Sequence, residues 1–157
     1  MRLLLTAVPA LLARNQPLCD ALACQFRVTP WDVGISTLKS DRYFSIAEAA
    51  QVDFMIRAGL LGYFWRENIR WVNVAQASRF LRPLRLFQGF TVLTRISCVD
   101  ERHAYLSHTF MAGGQVHAEV FVKVKFKSGR LTVPPQRFWP HAPEVRTSAV
   151  NSLDALG

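Results

Sequence analysis

Acidic residues are scarce in this sequence. Asp and Glu together number 11 against 19 Lys and Arg, which gives a formal net charge of +8 at pH 7. A balance this basic favours anionic partners, such as nucleic acid, anionic lipid or a phosphate-bearing small molecule. The chain is also 50% hydrophobic and 19% charged, which excludes a disordered polypeptide and indicates one globular domain.

The sequence lacks a concentrated basic element. Its cations form two modest clusters, one made of Arg79, Arg82 and Arg85 and the other of Lys123, Lys125, Lys127 and Arg130. Nucleic-acid-binding domains usually gather Lys and Arg on one element and carry a recognisable motif. We therefore predict no nucleic-acid partner, and we interpret the clusters as either solvated surface or a rim that binds phosphate groups.

Cysteine and metal-ligand motifs are equally sparse. The three cysteines, Cys19, Cys24 and Cys98, are odd in number and have no metal-like spacing. This pattern is typical of a reduced, intracellular protein, so we predict a cytoplasmic location. The four histidines show no paired-ligand pattern. We predict no metal site and no bound cofactor.

Long hydrophobic runs are absent. The apolar run from Leu3 to Ala13 is too short to span a bilayer. It resembles the start of a signal peptide, but the sequence favours a short helix packed on the domain or at a membrane surface. Of the possible partners, a membrane surface is not favoured. We divide the chain into an N-terminal apolar segment (1–20), a central domain (21–133) and a proline-containing C-terminal tail (134–157), which we expect to be irregular.

The central region predicts an α+β domain. A strand is expected over 21–28 and a helix over 41–59, followed by four strands over 71–81, 90–98, 104–111 and 116–127. The last strand has the clearest signal, because apolar side chains from Val116 to Phe126 alternate with polar ones. One long helix followed by antiparallel strands predicts a curved sheet of about five to six strands that wraps the helix.

The helix carries two acidic residues of interest. A helical projection places Glu48 within an apolar arc, where a buried carboxylate is a candidate functional group. The alternatives are a buried structural acceptor, or a residue that is solvent-exposed or caps the helix, since the Ser45–Glu48 stretch fits the S-x-x-E pattern. On the opposite arc, the spacing of Asp53 and Arg57 predicts a structural ion pair on the helix surface.

Two stretches resemble a known family. "YFSIAEAAQVDFMIRAGL" is similar to the start of the central helix in hot-dog fold proteins of the 4-hydroxybenzoyl-CoA thioesterase-like branch, with Tyr43 and Glu48 at its Tyr and acidic positions. "AQASRFLRPLRLFQGFTVLTRISCVDERHAYLSHTF" resembles the strand region of the same branch. The resemblance extends from about Gln25 to Lys127.

This resemblance implies an acyl-CoA thioesterase that forms a homodimer or homotetramer, in which coenzyme A is part of the substrate. A carboxylate in the loop before the helix, or on the helix itself, would activate water or attack the thioester. Backbone N–H groups at the helix start, near Asp41 and Tyr43, would polarise the carbonyl group. The coenzyme A phosphates would bind basic residues, for which the candidates are Arg79, Arg82, Arg85, Lys123 and Lys125.

The loop before the helix departs from the family pattern D-x-D-x-x-x-H-x-N-N-x-x-Y. Counted back from Tyr43, Trp31 and Val33 occupy the two Asp positions, and Asp32 falls between them. Thr37 occupies the His position, and Lys39 and Ser40 the two Asn positions. Glu48 and Asp32 are therefore the candidate catalytic carboxylates, with Thr37 and Ser40 as hydroxyl groups near them. The alternative is a non-catalytic module that binds acyl-CoA or an acyl-carrier protein without turnover.

Overall fold

The computed structural model describes residues 21–142 and 148–155. The segment 1–20, for which the sequence predicts a short helix, lies outside the described residues. Within them the helices are α1 (Ser40–Arg57), α2 (Leu60–Arg66) and α3 (Ser148–Asp154). The strands are β1 (Leu22–Arg27), β2 (Ile69–Phe80), β3 (Gly89–Val99), β4 (His103–Ala112), β5 (Gln115–Ser128) and β6 (Leu131–Val133).

The six strands form one antiparallel sheet in the order β1-β3-β4-β5-β2, and β6 pairs with the end of β5. The predicted α+β architecture is confirmed: α1, β1 and the four later strands lie within two residues of their predicted bounds. Sequence reasoning did not predict α2, β6 or α3. β1 and β2 are the outer strands of the main path, so β2 presents one open edge in the described part of the chain.

β5 shows why the sheet has two distinct faces. Ala118, Val120, Val122 and Val124 are all buried and belong to the main hydrophobic core, together with residues of α1. We call this the inner face of the sheet. The residues between them, such as Glu119 and Lys123, project to the other side, which we call the outer face. The alternation of buried apolar and polar side chains along β5 thus places α1 on one side of the sheet and most of the strand's charged residues on the other.

α1 is buried on more sides than its sequence predicts. Its exposed and half-exposed arc contains Asp41, Phe44, Ser45, Glu48 and Val52. Glu48 is therefore exposed, and the prediction that it lies in a buried apolar arc is wrong. The error arose because the projection counted Phe44 and Val52 as core residues, although both are only half-buried.

The opposite arc of α1 is covered by β1. Asp53 and Arg57 form the predicted ion pair, with 2.9 Å between Oδ2 and Nη2, but the pair is largely buried rather than on the surface. The Cys24 thiol of β1 interacts with the same carboxylate. α1 ends before Gly59, which has a φ of 73° and so turns the chain in the left-handed conformation that glycine adopts without cost.

The C-terminal region packs on both faces of the sheet. Phe138 and Trp139 are buried in the main core, where their rings contact Phe126. α3 lies on the outer face, and its Val150 and Leu153 are buried against residues of β3 and β4. The tail that the sequence predicts to be irregular therefore contains a helix in its described part, although the domain boundaries at 20 and 133 stay predictions. None of the helices among the described residues is long and apolar enough to cross a membrane.

Candidate active site

A cleft of about 410 Å³ lies between α1 and the edge strand β2. Its lining residues are Glu48, Gln51, Val52, Trp71 and Asn73. The exposed carboxylate of Glu48 stands at this cleft, one helical turn from Gln51. The cleft thus combines an accessible base with apolar walls and two amides, which is the usual composition of a small-molecule site.

Gln51 is the most unusual residue of the cleft. Its side chain is only 1% exposed, and its Nε2 donates a hydrogen bond to Asn73 Oδ1 over 3.2 Å. Its Oε1 is buried without a hydrogen-bond partner among the described residues. A buried acceptor left unpaired costs about 1–3 kcal/mol. Such a group is therefore a position where a ligand or a water molecule can donate a hydrogen bond.

An irregularity in β2 lies next to Asn73. The pairing of β2 with β5 shifts register between Asn73 and Ala75. A β-bulge of this kind changes the direction of nearby side chains and often occurs beside active sites. Gln51 and Asn73 are the site residues that sequence reasoning missed. Gln51 gave a weak signal, as a polar residue three positions after Glu48, whereas Asn73 gave none.

Asp32 has a different environment from Glu48. It is buried, and its Oδ2 accepts hydrogen bonds from Thr29 N at 2.9 Å and from Thr29 Oγ1 at 2.6 Å. The bond from Thr29 N to the Asp32 carboxylate is part of a capping box for the single 3₁₀ turn at Pro30–Asp32. In addition, the Asp32 carbonyl oxygen accepts a hydrogen bond from Lys39 N at 3.0 Å. Both contacts stabilise the loop that leads into α1.

The start of α1 holds the remaining candidates from the loop. Ser40 and Asp41 are exposed in the first helical turn, and Lys39 at the N-cap gives no side-chain capping bond. The first N–H groups of a helix have no acceptor within it, so those of Ser40 and Asp41 are available donors. Thr37 is half-buried and its backbone pairs with that of Arg85.

Tyr43 is a core residue in this structure. Its ring packs against the rings of Phe80 and Phe110, with centroid distances of 4.9 and 5.1 Å. Burial raises the pKa of its hydroxyl group above the usual value. The side chain therefore anchors the first turns of α1 on the sheet.

The predicted phosphate-binding residues lie in two separate places. Arg79, Lys123 and Lys125 belong to the outer face of the sheet, away from Glu48. Arg79 pairs there with Glu119 at 2.6 Å, and Lys123 with Asp154 at 3.1 Å. Arg82 and Arg85 are exposed in the loop after β2, and Arg82 hydrogen-bonds to Gln115.

Among the candidates, Arg85 lies nearest to the start of α1. The Leu84 carbonyl oxygen beside it accepts a hydrogen bond from Leu38 N at 2.8 Å.

In the part of the chain that the structure describes, no group of three or more His, Cys, Asp or Glu side chains could hold a metal ion.

Solved structures with the same architecture come from several bacteria. A probable thioesterase of Bartonella henselae is 19% identical, with a TM-score of 0.66 over 73% of this chain and 98% of its own. A 1,4-dihydroxy-2-naphthoyl-CoA thioesterase of Synechocystis is 13% identical, with a TM-score of 0.67 over 85% of this chain and 98% of its own. A hypothetical protein of Staphylococcus aureus in complex with CoA is 13% identical, with a TM-score of 0.68 over 87% and 95%.

These similarities confirm the hot-dog fold that the sequence resemblance implies. At the level of sequence, residues 28–137 match the model of the thioesterase-like superfamily. The match includes the loop with Asp32, all of α1, and strands β2 to β6. Because it covers well over half of the sequence, the chain belongs to the thioesterase-like superfamily.

Proposed function

We propose that this protein is an acyl-CoA thioesterase that uses Glu48 as its catalytic carboxylate. The observation that carries the proposal is that the exposed Glu48 lines the same cleft between α1 and β2 as Gln51, whose Oε1 is unpaired among the described residues. Family membership supports the reaction class. The substrate class, a fatty or aromatic acyl-CoA, is supported by relatives that act on an aromatic acyl-CoA or bind CoA.

In the proposed reaction, Glu48 removes a proton from a water molecule whose oxygen attacks the thioester carbonyl carbon. Gln51 Oε1 accepts the second hydrogen bond of that water and so fixes its direction. The carbon–sulfur bond then breaks, and the departing CoA sulfur takes up the proton, which gives a free acid and CoA thiol. Direct attack by Glu48, through an acyl-enzyme anhydride that water hydrolyses, gives the same products.

The oxyanion of the tetrahedral intermediate needs hydrogen-bond donors. The N–H groups of Ser40 and Asp41 provide them at the positive end of α1. Ser40 and Glu48 are eight residues apart, or about 12 Å along the helix axis at 1.5 Å per residue. One subunit therefore does not bring both groups to one carbonyl carbon. We propose a homodimer in which the helix start of one subunit faces the Glu48 cleft of the other.

A panel of acyl-CoA substrates with fatty and aromatic acyl groups tests the function, with release of CoA thiol as the readout. We expect Glu48→Gln to lower kcat about 100-fold or more, because it removes the base but keeps the shape. The matched control is Glu67→Gln, another exposed glutamate, which lies beyond α2 and should keep wild-type rates. If the wild type hydrolyses every thioester at the background rate, the proposal fails.

Subunit complementation tests the shared site. Ser40→Pro removes one donor, and proline suits the first position of a helix when the preceding residue is extended, as Lys39 is with a φ of −69° and a ψ of 147°. Ser40→Pro and Glu48→Gln homodimers should each be poorly active. Mixed dimers would contain one intact site, so co-refolding should restore part of the activity. Without any recovery, the two groups do not act across the subunits.

One observation favours a second candidate, a module that binds acyl-CoA without turnover. The loop lacks most of the family's catalytic residues, and the Asp32 carboxylate is bound by Thr29. Calorimetry with a non-hydrolysable acyl-CoA analogue distinguishes the two candidates. Saturable binding combined with background hydrolysis would favour the module, and turnover that depends on Glu48 would favour the enzyme. The cytoplasmic location and the absence of a further cofactor stay predictions.

A further inference from the structure

Three large apolar side chains are exposed together at the end of the domain where α1 begins. Trp31 is 84% exposed, Phe87 is 59% exposed, and Ile35 is fully exposed. They belong to the two loops 28–39 and 81–88. We call these three side chains the apolar tip. Exposed apolar residues that lie together on one surface usually mark an interaction site, whereas isolated ones need no explanation.

The two loops of the apolar tip are joined by backbone hydrogen bonds. Leu86 N donates to Ser36 O at 3.0 Å, and Phe87 N donates to Val28 O at 3.0 Å. A β-bridge between Thr37 and Arg85 adds to this pairing. The loops therefore hold Trp31, Ile35 and Phe87 on one shared support, and the side chains are presented without a large ordering cost on contact with a partner.

Phe87 has a strained backbone. Its φ is 63°, in the left-handed region that a bulky residue rarely occupies. Arg27 Nη1 donates a hydrogen bond to the Phe87 carbonyl oxygen at 3.0 Å and so supports this conformation. Glycine would adopt the same backbone without strain. An exposed aromatic side chain on a strained backbone therefore indicates a functional role for the Phe87 ring.

Basic residues lie on the two loops of the apolar tip and at the end of β1. Arg27, Lys39, Arg82 and Arg85 are exposed, and none belongs to the ion pairs among the described residues. A Cβ atom built on Gly34 would lie 4.0 Å from Lys39 Cγ, which places the Lys39 side chain beside Gly34, the residue before Ile35. The acidic residues of the two loops and the first turn of α1 are Asp32, which is buried, and Asp41.

We infer that the apolar tip binds the surface of an anionic lipid bilayer, independently of the proposed hydrolysis. Trp and Phe rings with neighbouring Arg and Lys side chains match the boundary between headgroups and acyl chains, where the rings insert and the cations meet lipid phosphates. A second copy of this chain is a poorer occupant. A contact with the two-fold axis at the tip itself would place the same four cations against each other.

Vesicle co-sedimentation of the full-length protein tests this inference. The probes are vesicles of phosphatidylcholine alone and vesicles that contain about 30 mol% phosphatidylglycerol, at about 0.1 M and 0.5 M salt. We expect binding to the anionic vesicles, weakened by salt. The variant Ile35→Ser/Phe87→Gly should lower the partition coefficient about tenfold or more. Its melting temperature should stay at or above that of the wild type, because glycine relieves the strain at position 87.

The matched control is Trp65→Ser/Leu131→Ser, which removes two other exposed apolar side chains, one on α2 and one on β6. It should bind anionic vesicles within about twofold of the wild type, whereas Lys39→Gln alone should weaken binding about fivefold. The inference is overturned if anionic vesicles bind no protein, or if the tip and control variants lose binding equally. It is also overturned if the tip variant changes the oligomeric state instead of vesicle binding, since the tip would then be a subunit contact.

Discussion

Gln51 Nε2 and Asn73 Oδ1 form a hydrogen bond of 3.2 Å that joins the middle of α1 to the edge strand β2. This bond fixes the orientation of the Gln51 amide, because a side-chain amide with one end bound has little freedom to rotate. The other end, Oε1, is left buried and unpaired among the described residues, and Gln51 lines the same cleft as Glu48. A polar group that is both oriented and unsatisfied costs stability in the free protein and becomes useful when a ligand supplies the missing donor.

Gln51→Met tests that interpretation. Methionine has a similar size and no hydrogen-bonding amide, so the free energy of unfolding should stay within about 1 kcal/mol of the wild type or rise. The value of kcat/KM for an acyl-CoA should fall about tenfold or more, because the attacking water loses its orienting acceptor. Asn73→Ala is the control. It removes the hydrogen bond to Gln51 Nε2 but leaves Gln51 Oε1 in place, so it should lower kcat/KM less than Gln51→Met does. Unchanged kcat/KM in Gln51→Met would show a structural role only.

Asp32→Ala tests whether the Asp32 carboxylate has a structural or a catalytic role. It removes the acceptor of two hydrogen bonds from Thr29, so we expect unfolding to become easier by about 1–2 kcal/mol. Activity should stay within about threefold, far from the loss in Glu48→Gln. Thr29→Val removes one of the same bonds and should reproduce part of the destabilisation. A loss of activity in Asp32→Ala as large as in Glu48→Gln would move the catalytic role to the loop.

The fold was predictable because its signals are local. The alternation of β5 and the glycine pair at Gly113 and Gly114, with φ values of 56° and 72°, determine a strand and the turn before it from neighbouring residues alone. α3 could not be predicted with the same methods. Its seven residues are stabilised by Val150 and Leu153 against the outer face, a contact between distant parts of the chain.

The candidate site was predictable only in part. Glu48 was selected from its place in the helical projection and from its position relative to Tyr43, but its environment was predicted wrongly, since the exposed side of α1 depends on where β1 and β2 lie in three dimensions. Asn73 was missed for the same reason, because a polar residue in a strand can be assigned to the site only once its hydrogen bond to Gln51 across the cleft is known. For the basic residues, sequence showed the clusters but not the face of the sheet to which each one projects.

Lys123→Met tests whether the outer-face lysine contributes to substrate binding. Lys123 is buried beside Asp154, whose carboxylate also accepts a hydrogen bond from Tyr105 at 2.6 Å. We therefore expect KM for acyl-CoA to stay within about twofold, and the free energy of unfolding to fall by about 1 kcal/mol as α3 loses a contact. Arg85→Gln, near the start of α1, is the comparison and should raise KM severalfold. A larger effect of Lys123 than of Arg85 on KM would place the phosphate groups on the outer face.

Arg57→Met should be strongly destabilising. Burial raises the pKa of Asp53, and the neighbouring Arg57 partly offsets that effect. Without the guanidinium group the buried carboxylate has lost its main counter-charge, so we expect a loss of about 3 kcal/mol in the free energy of unfolding. The double variant Asp53→Asn/Arg57→Met should recover most of it, which a double-mutant cycle in urea measures. A double variant no more stable than Arg57→Met would show that packing, rather than the unpaired charge, causes the loss.

His108 should make the stability of the protein depend on pH in the acidic range. It is fully buried, its Nδ1 lies 2.9 Å from Thr94 Oγ1, and burial lowers its pKa from 6.5 to about 3. Between these two values the unfolded chain binds one more proton at this residue than the folded chain does. The free energy of unfolding should therefore fall by about 1.4 kcal/mol for each pH unit below 6.5, and this contribution is fully present only above that pH.

The double variant Thr94→Val/His108→Leu replaces this polar pair with apolar side chains and should remove the contribution. Urea denaturation at several pH values between about 7.5 and 4.5 measures it as a difference from the wild type, which cancels the titration of all other groups. Thr94→Val alone keeps the buried imidazole and should keep the wild-type slope. Parallel pH profiles for the wild type and the double variant would mean that His108 is protonated as readily in the folded protein as in the unfolded chain. We do not expect this result, because His108 is buried and its Nε2 has no hydrogen-bond partner among the described residues to stabilise a charge.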